Sequence, residues 1–184
     1  FSRFSRNRQI GSAELSWLVN CARHSSVGGN LQPLRYLPVS APEVCEKLYP
    51  ALAWAGYLKD WDGPVKEERP TGYIVFLTET RENGKTGHMT YIDLGIAAQT
   101  IQLAARSRDI ATCIFLSFKE SVLREVLPVP DGLTVLSVMA LGHPLEEVRL
   151  ADLGEDGSVK YYRDEKQIHY VPKRSLKDCL IAEL

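Results

Sequence analysis

The sequence lacks the signatures of several common enzyme classes. No GxSxG elbow, P-loop, GxGxxG fingerprint or HExxH pair occurs among its 184 residues. These motifs mark serine hydrolases, P-loop NTPases, Rossmann oxidoreductases and zinc peptidases, so none of these classes is indicated.

Disulfide and membrane patterns are also missing from the sequence. Its four cysteines form no CxxC pair, and no apolar run reaches the roughly 20 residues that cross a bilayer. No secretory pattern of basic, apolar and small-residue zones is visible near Phe1. These features predict a reduced, cytoplasmic protein that does not enter a membrane.

The charges favour a small partner. Lys and Arg together number 22 against 23 Asp and Glu, which gives no reason to expect nucleic acid or an anionic membrane as partner. The four histidines have no ligand-like spacing with one another or with the cysteines, so no metal site is predicted.

The pattern of apolar residues predicts one domain over residues 1–184, with helices and strands interleaved. Helical spacing indicates helices over 12–24, 41–49, 90–108 and 120–127, and apolar runs indicate strands over 34–39, 72–79, 110–117 and 133–142. The helix over 90–108 is apolar on nearly all faces, which predicts packing on several sides. From about residue 145 the chain becomes polar and is interpreted as an arm, with two extended segments around the turn-prone "RDEK".

Two features suggest ligand binding. The segment "GGNLQPLRY" (28–36) combines glycines with neutral amides, which suits a flat ligand with a polar edge. Basic residues near both ends, Arg3, Arg6 and Arg8 with Lys173 and Arg174, could meet on one phosphate. From spacing alone, a solvated surface is the favoured interpretation of these basic residues.

Five segments, in order, resemble the nitroreductase-like flavoproteins. They are "ELSWLVNCARHSSVGGNLQPLRY", "LAWAGYLKDWDGP", "YIDLGIAAQTIQLAARSRDIATCIF", "ALGHPLEEV" and "VPKRSL". They carry the family's loop ending in Asn-x-Gln-Pro, its Asp-x-Gly-x-Ala-x-Gln helix and its late Ala-Leu-Gly strand end. The resemblance implies an α+β fold with a central mixed or antiparallel sheet flanked by helices. It also implies an interlocked homodimer with FMN at each interface.

The resemblance further implies where the cofactor binds. The loop along the isoalloxazine corresponds to Ser26, Val27, Gly28 and Asn30, and Gln32 and Pro33 shape its turn. The backbone that faces flavin N5 corresponds to Leu116 and Ser117. The phosphate contacts correspond to Lys173 and Arg174, together with Ser2 and Arg3 at the N-terminus. Ser2 stands where a basic residue is usual, and Ser26-Val27 where Pro-Ser is common. Because Val27 has no side-chain hydrogen bond to offer, backbone groups and Asn30 are expected to hold more of the ring edge.

The implied reaction needs no catalytic side chain, because the flavin carries the electron transfer. NADH or NADPH passes a hydride to flavin N5, and a nitroaromatic, quinone or similar acceptor then takes the electrons in a ping-pong sequence. Two alternatives stay open: a protein that binds, stores or senses FMN without turnover, and a specialised reductase such as a dehalogenase. The aromatic residues Trp54, Tyr57 and Trp61 either cover the pocket or pack across the dimer.

Overall fold

An antiparallel sheet forms the centre of the computed structural model, which describes residues 1–82, 84 and 86–182. Its strands are β1 (Phe4–Ser5), β2 (Leu34–Val39), β3 (Gly72–Glu79), β4 (Ala111–Phe115) and β5 (Leu133–Pro144). Strand β3 lies between β2 and β5. The other edge of β5 pairs with β4, and the last residues of β5 pair with β1. Strand β5 is therefore the axis that the other elements share.

Both faces of the sheet are buried, and β3 shows why. Ile74 and Phe76 belong to the apolar cluster on one face, whereas Tyr73, Val75 and Leu77 belong to the cluster on the other. Successive side chains of a strand point to opposite faces, so a continuous apolar run is what a strand covered on both sides requires.

Helices cover the two faces in pairs. Helices α1 (Ser12–Ala22) and α3 (His88–Arg106) pack on one face, and α2 (Pro42–Leu48) with α4 (Glu120–Val126) pack on the other. Pro42 lies in the first turn of α2, where its missing N–H is not needed. The arrangement of helices around an antiparallel sheet confirms the α+β prediction.

Helix α3 is packed on one side only within this chain. Leu94, Ala97 and Ile101 face the sheet and are buried, but Ile92 and Ile96 remain 41% and 39% exposed. The prediction that this helix is enclosed on several sides is therefore not met by a single chain.

The arm folds as a small second sheet. Its strands are β6 (Val148–Asp152), β7 (Tyr162–Arg163) and β8 (His169–Lys173), with β8 parallel to β6 and antiparallel to β7. Between β7 and β8, Asp164 Oδ1 accepts hydrogen bonds from the backbone N–H groups of Lys166 and Ile168, and this closes the turn that the sequence predicts. A short helix, α5 (Leu176–Cys179), follows. Across the described residues, no helix combines the length and the apolar character needed to span a bilayer.

Candidate functional site

The loop before β2 has an unusual backbone. Gly28–Asn30 form a single 3-10 turn, and Gly29, Asn30 and Gln32 have φ values of 55°, 54° and 49°. Left-handed backbone is uncommon outside glycine, although Asn tolerates it best, and such residues concentrate at ligand-binding sites. The loop thus has left-handed backbone at three of the four positions from 29 to 32.

Helix α3 anchors this loop. The backbone N–H of Gly28 donates to Oδ1 of Asp93 at 2.9 Å, and Asp93 is only 2% exposed. A Cβ on Gly28 would lie 2.6 Å from Cε of Met89, the flexible end of a half-exposed side chain, so this contact alone does not require glycine. The buried carboxylate therefore fixes the point from which the loop projects.

Beyond the anchor, the polar side chains of the loop face solvent. Ser26, Asn30 and Gln32 are exposed, and Val27 is half-buried. The carbonyl of Asn30 accepts a long hydrogen bond, 3.4 Å, from the Gln32 amide, whereas the Asn30 amide itself enters no hydrogen bond among the described residues. The Asn30 side chain is thus available to a ligand.

A second group of predicted residues follows β4. Leu116 is 70% exposed, and the carbonyl of Ser117 accepts a hydrogen bond from the N–H of Ala53 at 3.3 Å. A β-bridge joins the next residue, Phe118, to Leu52. The end of β4 is therefore held against the start of the aromatic segment, which we define as residues 53–61.

The aromatic segment packs on its own chain. Trp54 meets Phe115 edge-on with ring centroids 4.6 Å apart, and Tyr57 lies 5.0 Å from Tyr161 of the arm. Arg163 of the arm lies over Trp61, at 4.3 Å from the ring centroid. These contacts connect the aromatic segment to the arm.

Between the aromatic segment, β4 and the arm lies a cavity of about 230 Å³. It is mostly apolar and aromatic, and its lining comprises Phe1, Ser2, Trp54, Ala55, Cys113, Tyr161, His169 and Val171. Burial raises the pKa of the Cys113 thiol, so this side chain presents a neutral group to the cavity. Cys113 precedes Leu116 by three residues and Val171 precedes Lys173 by two. Two of the predicted groups thus lie at the ends of strands that line the cavity.

The two basic groups near the chain ends differ in their ion pairs. Lys173 and Arg174 are exposed and take part in no ion pair among the described residues. Arg3 instead forms a two-pronged contact with Glu68, with Nε to Oε2 at 2.6 Å and Nη2 to Oε1 at 2.5 Å. Arg6 pairs with Glu46, and Arg8 pairs with Asp109.

Ser2 is held by a buried carboxylate. Its N–H and its hydroxyl both donate to Oε1 of Glu146, the hydroxyl at 3.1 Å. Arg163 Nη2 donates to the Ser2 hydroxyl and to Glu146 Oε2, each at 3.0 Å. Burial alone would raise the pKa of Glu146. The hydrogen bond from the Ser2 N–H and the nearby positive charges, those of the amino group of Phe1 and of Arg163 among them, outweigh it and hold that pKa below its ordinary value.

His169 adjoins this network without joining it by a hydrogen bond. Its Nδ1 lies 3.9 Å from Glu146 Oε2 and has no hydrogen-bond partner among the described residues. Burial lowers the pKa of His169 despite the nearby carboxylate, because the protonated ring would lose its hydration. A neutral imidazole therefore stacks against Tyr161 beside the cavity.

The loop and the N-terminal network lie at opposite ends of β5. Thr78 pairs with Thr134 of β5, and its hydroxyl donates to the Pro33 carbonyl at the end of the loop. Phe4, two residues after Ser2, pairs with Pro144 of β5. At about 3.3 Å per residue, residues 134 and 144 are separated by roughly 30 Å. A single chain thus keeps these two parts of the predicted site apart.

A model of the nitroreductase family matches residues 2–143. The chain therefore belongs to the nitroreductase family. A nitroreductase-type relative from Archaeoglobus fulgidus, whose name refers to NADH dehydrogenase and NAD(P)H nitroreductase, is 25% identical over 150 residues, which cover 79% of this chain and 80% of the relative.

Solved structures confirm the predicted nitroreductase fold. A Desulfovibrio desulfuricans protein, named as a nitroreductase and solved in complex with FMN, matches with a TM-score of 0.65 and 16% identity, over 100% of this chain and 91% of its own. An FMN-dependent nitroreductase from Clostridium difficile R20291 matches with a TM-score of 0.62 and 18% identity, over 79% and 83% of the two chains. The arm lies beyond the residues that the family model matches, but within the first of these two alignments.

Several residues of the site in this nitroreductase-family chain were missed by reasoning from sequence. Asp93 carried a signal, because a lone acid within an apolar helix needs a buried partner. Glu68, Glu146 and Arg163 carried none, since their partners lie 65, 144 and 161 residues away along the chain. Among the described residues, no group of three or more His, Cys, Asp or Glu could hold a metal ion.

Proposed function

We propose that this chain is an FMN-dependent oxidoreductase that passes electrons from NADH or NADPH to a small acceptor such as a nitroaromatic or a quinone. The observation that carries the proposal is the anchored loop, in which the exposed amide of Asn30 projects beside a glycine held on Asp93. Family membership supports an oxidoreductase, and the names of the relatives support a nicotinamide donor and FMN.

The residues present fit FMN at three places. The Asn30 amide offers a donor and an acceptor to the polar edge of a flat ring, and the aromatic cavity beside β4 offers an apolar wall. Lys173 and Arg174, which enter no ion pair within the part of the chain that the structure describes, offer positive charge to a phosphate. The fourth predicted place fits less well, because the polar groups of Ser2 and Arg3 already bind carboxylates.

The complete site requires two chains in this proposal. Pockets that enclose drug-sized ligands measure about 300 to 1,000 Å³, whereas this cavity measures about 230 Å³. The loop at one end of β5 lies far from the network at the other, so the loop of a second copy is the one that completes the cavity. The exposed stripe on α3, which we define as Tyr91, Ile92, Ile96 and Leu103, supplies an apolar surface for that copy.

Bound FMN would supply the redox chemistry, accepting hydride at N5 and releasing electrons to the acceptor. The chain's own contribution is binding and orientation. With FMN bound, Gly28 would let the backbone approach the ring, and the Asn30 amide would favour the electron-rich form by donating to the ring edge. Trp54 and Tyr161 would supply aromatic surface that limits the access of water to the cavity that they line. No side chain of the chain is assigned as a catalytic acid or base.

The alternative of an FMN-binding protein without turnover is favoured by one observation. Two of the predicted phosphate residues, Ser2 and Arg3, are engaged within the chain, which suits a site adapted away from the family pattern. A specialised reductase, such as a dehalogenase, uses the same fold and differs from the proposed oxidoreductase only in its substrate. The cytoplasm remains the proposed compartment, in line with four cysteines that are all unpaired.

Two measurements on the purified protein test the proposal. A flavin absorption spectrum is expected, and mass spectrometry of the released cofactor should identify FMN. Oxidation of NADH or NADPH should then continue over many turnovers with a nitroaromatic or a quinone, in a ping-pong pattern. Bound FMN that is not turned over with any donor and acceptor would favour the binding protein. Failure to bind any flavin would refute the proposal as a whole.

A further inference from the structure

We propose that Ser2 and Arg3 form an N-terminal clamp with Glu68, Glu146 and Arg163, which fastens the start of the chain to the segment before β3 and to the arm. We further propose that Lys173 and Arg174 recognise the phosphate, whereas Ser2 and Arg3 do not. The second half rests on the proposed function, and the first half does not. The clamp is defined as Ser2, Arg3, Glu68, Glu146 and Arg163.

The Ser2 end of the clamp is fully engaged. The Ser2 N–H, the Ser2 hydroxyl and the Arg3 N–H all converge on Oε1 of Glu146, the last at 3.2 Å. The Glu146 side chain is 0% exposed, and its other oxygen accepts from Arg163. Every polar group of Ser2 that would serve a phosphate is therefore directed at a buried carboxylate.

The Arg3 end is engaged as well. The two contacts with Glu68 use the planar fork of the guanidinium, the geometry in which arginine binds a carboxylate most strongly. Both side chains are mostly buried, at 23% and 18% exposure, which protects the pair from solvent screening. The pKa of Glu68 is lowered, first by the hydrogen bond from Arg3.

A phosphate at this position would meet unfavourable electrostatics. It would place a dianion beside the buried carboxylate of Glu146, and moving Ser2 away would leave that carboxylate with fewer donors. Removing the partners of a buried charge is strongly destabilising. The arrangement thus favours retention of the clamp when a cofactor binds.

Arg163 extends the clamp to the arm and to the aromatic segment. It lies on β7, contacts Ser2 and Glu146, and also covers the ring of Trp61. The clamp therefore joins three segments that are distant in sequence and that surround the cavity. Its role is to position the walls of the site and not to contact the ligand.

The test compares stability with phosphate recognition. The melting temperature of the flavin-free protein is measured, together with the dissociation constants of FMN and riboflavin by quenching of flavin fluorescence. The variants are Arg3→Ala, Glu68→Ala, their double variant and Lys173→Ala/Arg174→Ala. Arg8→Ala is the matched control, because Arg8 pairs with Asp109 on the surface, at 59% and 58% exposure. Arg3→Lys, which keeps the charge but not the fork, substitutes if Arg3→Ala does not fold.

We expect Arg3→Ala and Glu68→Ala each to lower the melting temperature and the double variant to fall little further, because the two residues act as a pair. Their ratio of riboflavin to FMN dissociation constants should stay within about twofold of the parent, whereas Lys173→Ala/Arg174→Ala should lower it at least tenfold. A tenfold loss of that ratio in Arg3→Ala would make Arg3 a phosphate ligand and overturn the inference. A tenfold gain in Glu68→Ala would show that Glu68 competes with phosphate and would also overturn it.

The clamp can fail separately from the proposed function. If the parent protein binds neither flavin, the proposed function fails, and the melting temperatures alone decide the clamp. Additive losses from Arg3→Ala and Glu68→Ala would then refute the clamp, and non-additive losses would support it.

Discussion

Replacing Asp93 with alanine should release the candidate loop from α3. The variant removes a charge-assisted hydrogen bond to the Gly28 N–H, 2.9 Å long and largely buried. Such bonds contribute about 1.5 to 3 kcal/mol. Alanine is a better helix former than aspartate by about 0.7 kcal/mol, which offsets part of the loss. The net expected loss is about 0.8 to 2.3 kcal/mol.

In a chain of this length, a loss of 1 kcal/mol lowers the melting temperature by about 2 to 4 °C. Asp93→Ala should therefore melt about 2 to 9 °C below the parent. Asp93→Asn should lose less, because an amide oxygen still accepts from Gly28 but without the charge. Hydrogen exchange at the Gly28 amide should accelerate in both variants, and more in Asp93→Ala.

The control for this prediction is Asp152→Ala, at an exposed position on the arm at the end of β6. It should change neither the melting temperature nor exchange at Gly28. An unchanged exchange rate at Gly28 in Asp93→Ala would refute the reasoning, because it would mean that the loop holds its conformation without the anchor. If the loop binds the ring, FMN affinity should fall in the same variants in which hydrogen exchange at the Gly28 amide accelerates.

Three further predictions concern the ring edge, acid stability and assembly. Asn30→Gly keeps a residue that accepts the left-handed backbone but removes the amide, so the flavin reduction potential should fall by a few tens of millivolts. About 30 mV corresponds to about 1.4 kcal/mol for a two-electron couple. An unchanged potential, measured by dye equilibration, would show that Asn30 serves only the turn. The lowered pKa values of Glu146 and Glu68 contribute stability that is present above their ordinary value of 4.5 and is lost as the pH falls through the lowered pKa values; thermal melts across this range should show the loss, and Glu146→Gln should flatten it. Ile96→Asp in the exposed stripe should give a monomer that no longer binds FMN, as judged by sedimentation and flavin titration; a monomer that keeps FMN would contradict the two-chain site.

The sequence predicts the central elements well because each has a strong local pattern. The run "GYIVFLTE" coincides with β3, and the predicted helices over 12–24 and 120–127 differ from α1 and α4 only at their last residues. Strands β1 and β6 escape prediction because they are short or exposed and owe their pairing to distant partners. The spacing of apolar residues identifies elements that bury an apolar face of their own. It misses elements that form only because they pair with distant segments.

The candidate site divides in the same way. The loop was predicted from its glycines and amides, which are local signals, and its left-handed Asn30 is consistent with that interpretation. The partners of Ser2 and Arg3 were not predicted, because an exposed arginine and a buried arginine look alike in a sequence. Electrostatic pairing across 65 or 144 residues depends on the topology, and only the folded chain provides it.

The sequence prediction for α3 and the observed burial would agree in the dimer that we propose. The helix carries apolar residues on nearly all faces, yet one chain leaves Leu103 65% exposed and Tyr91 50% exposed. Apolar surface of this kind on a stable protein marks an interaction site. The separation of the loop from the cavity along β5 favours the same proposal, because an FMN that contacted both would have to lie between two molecules. We therefore expect dimerisation and cofactor binding to be lost together, since the surface that joins the chains also completes the site.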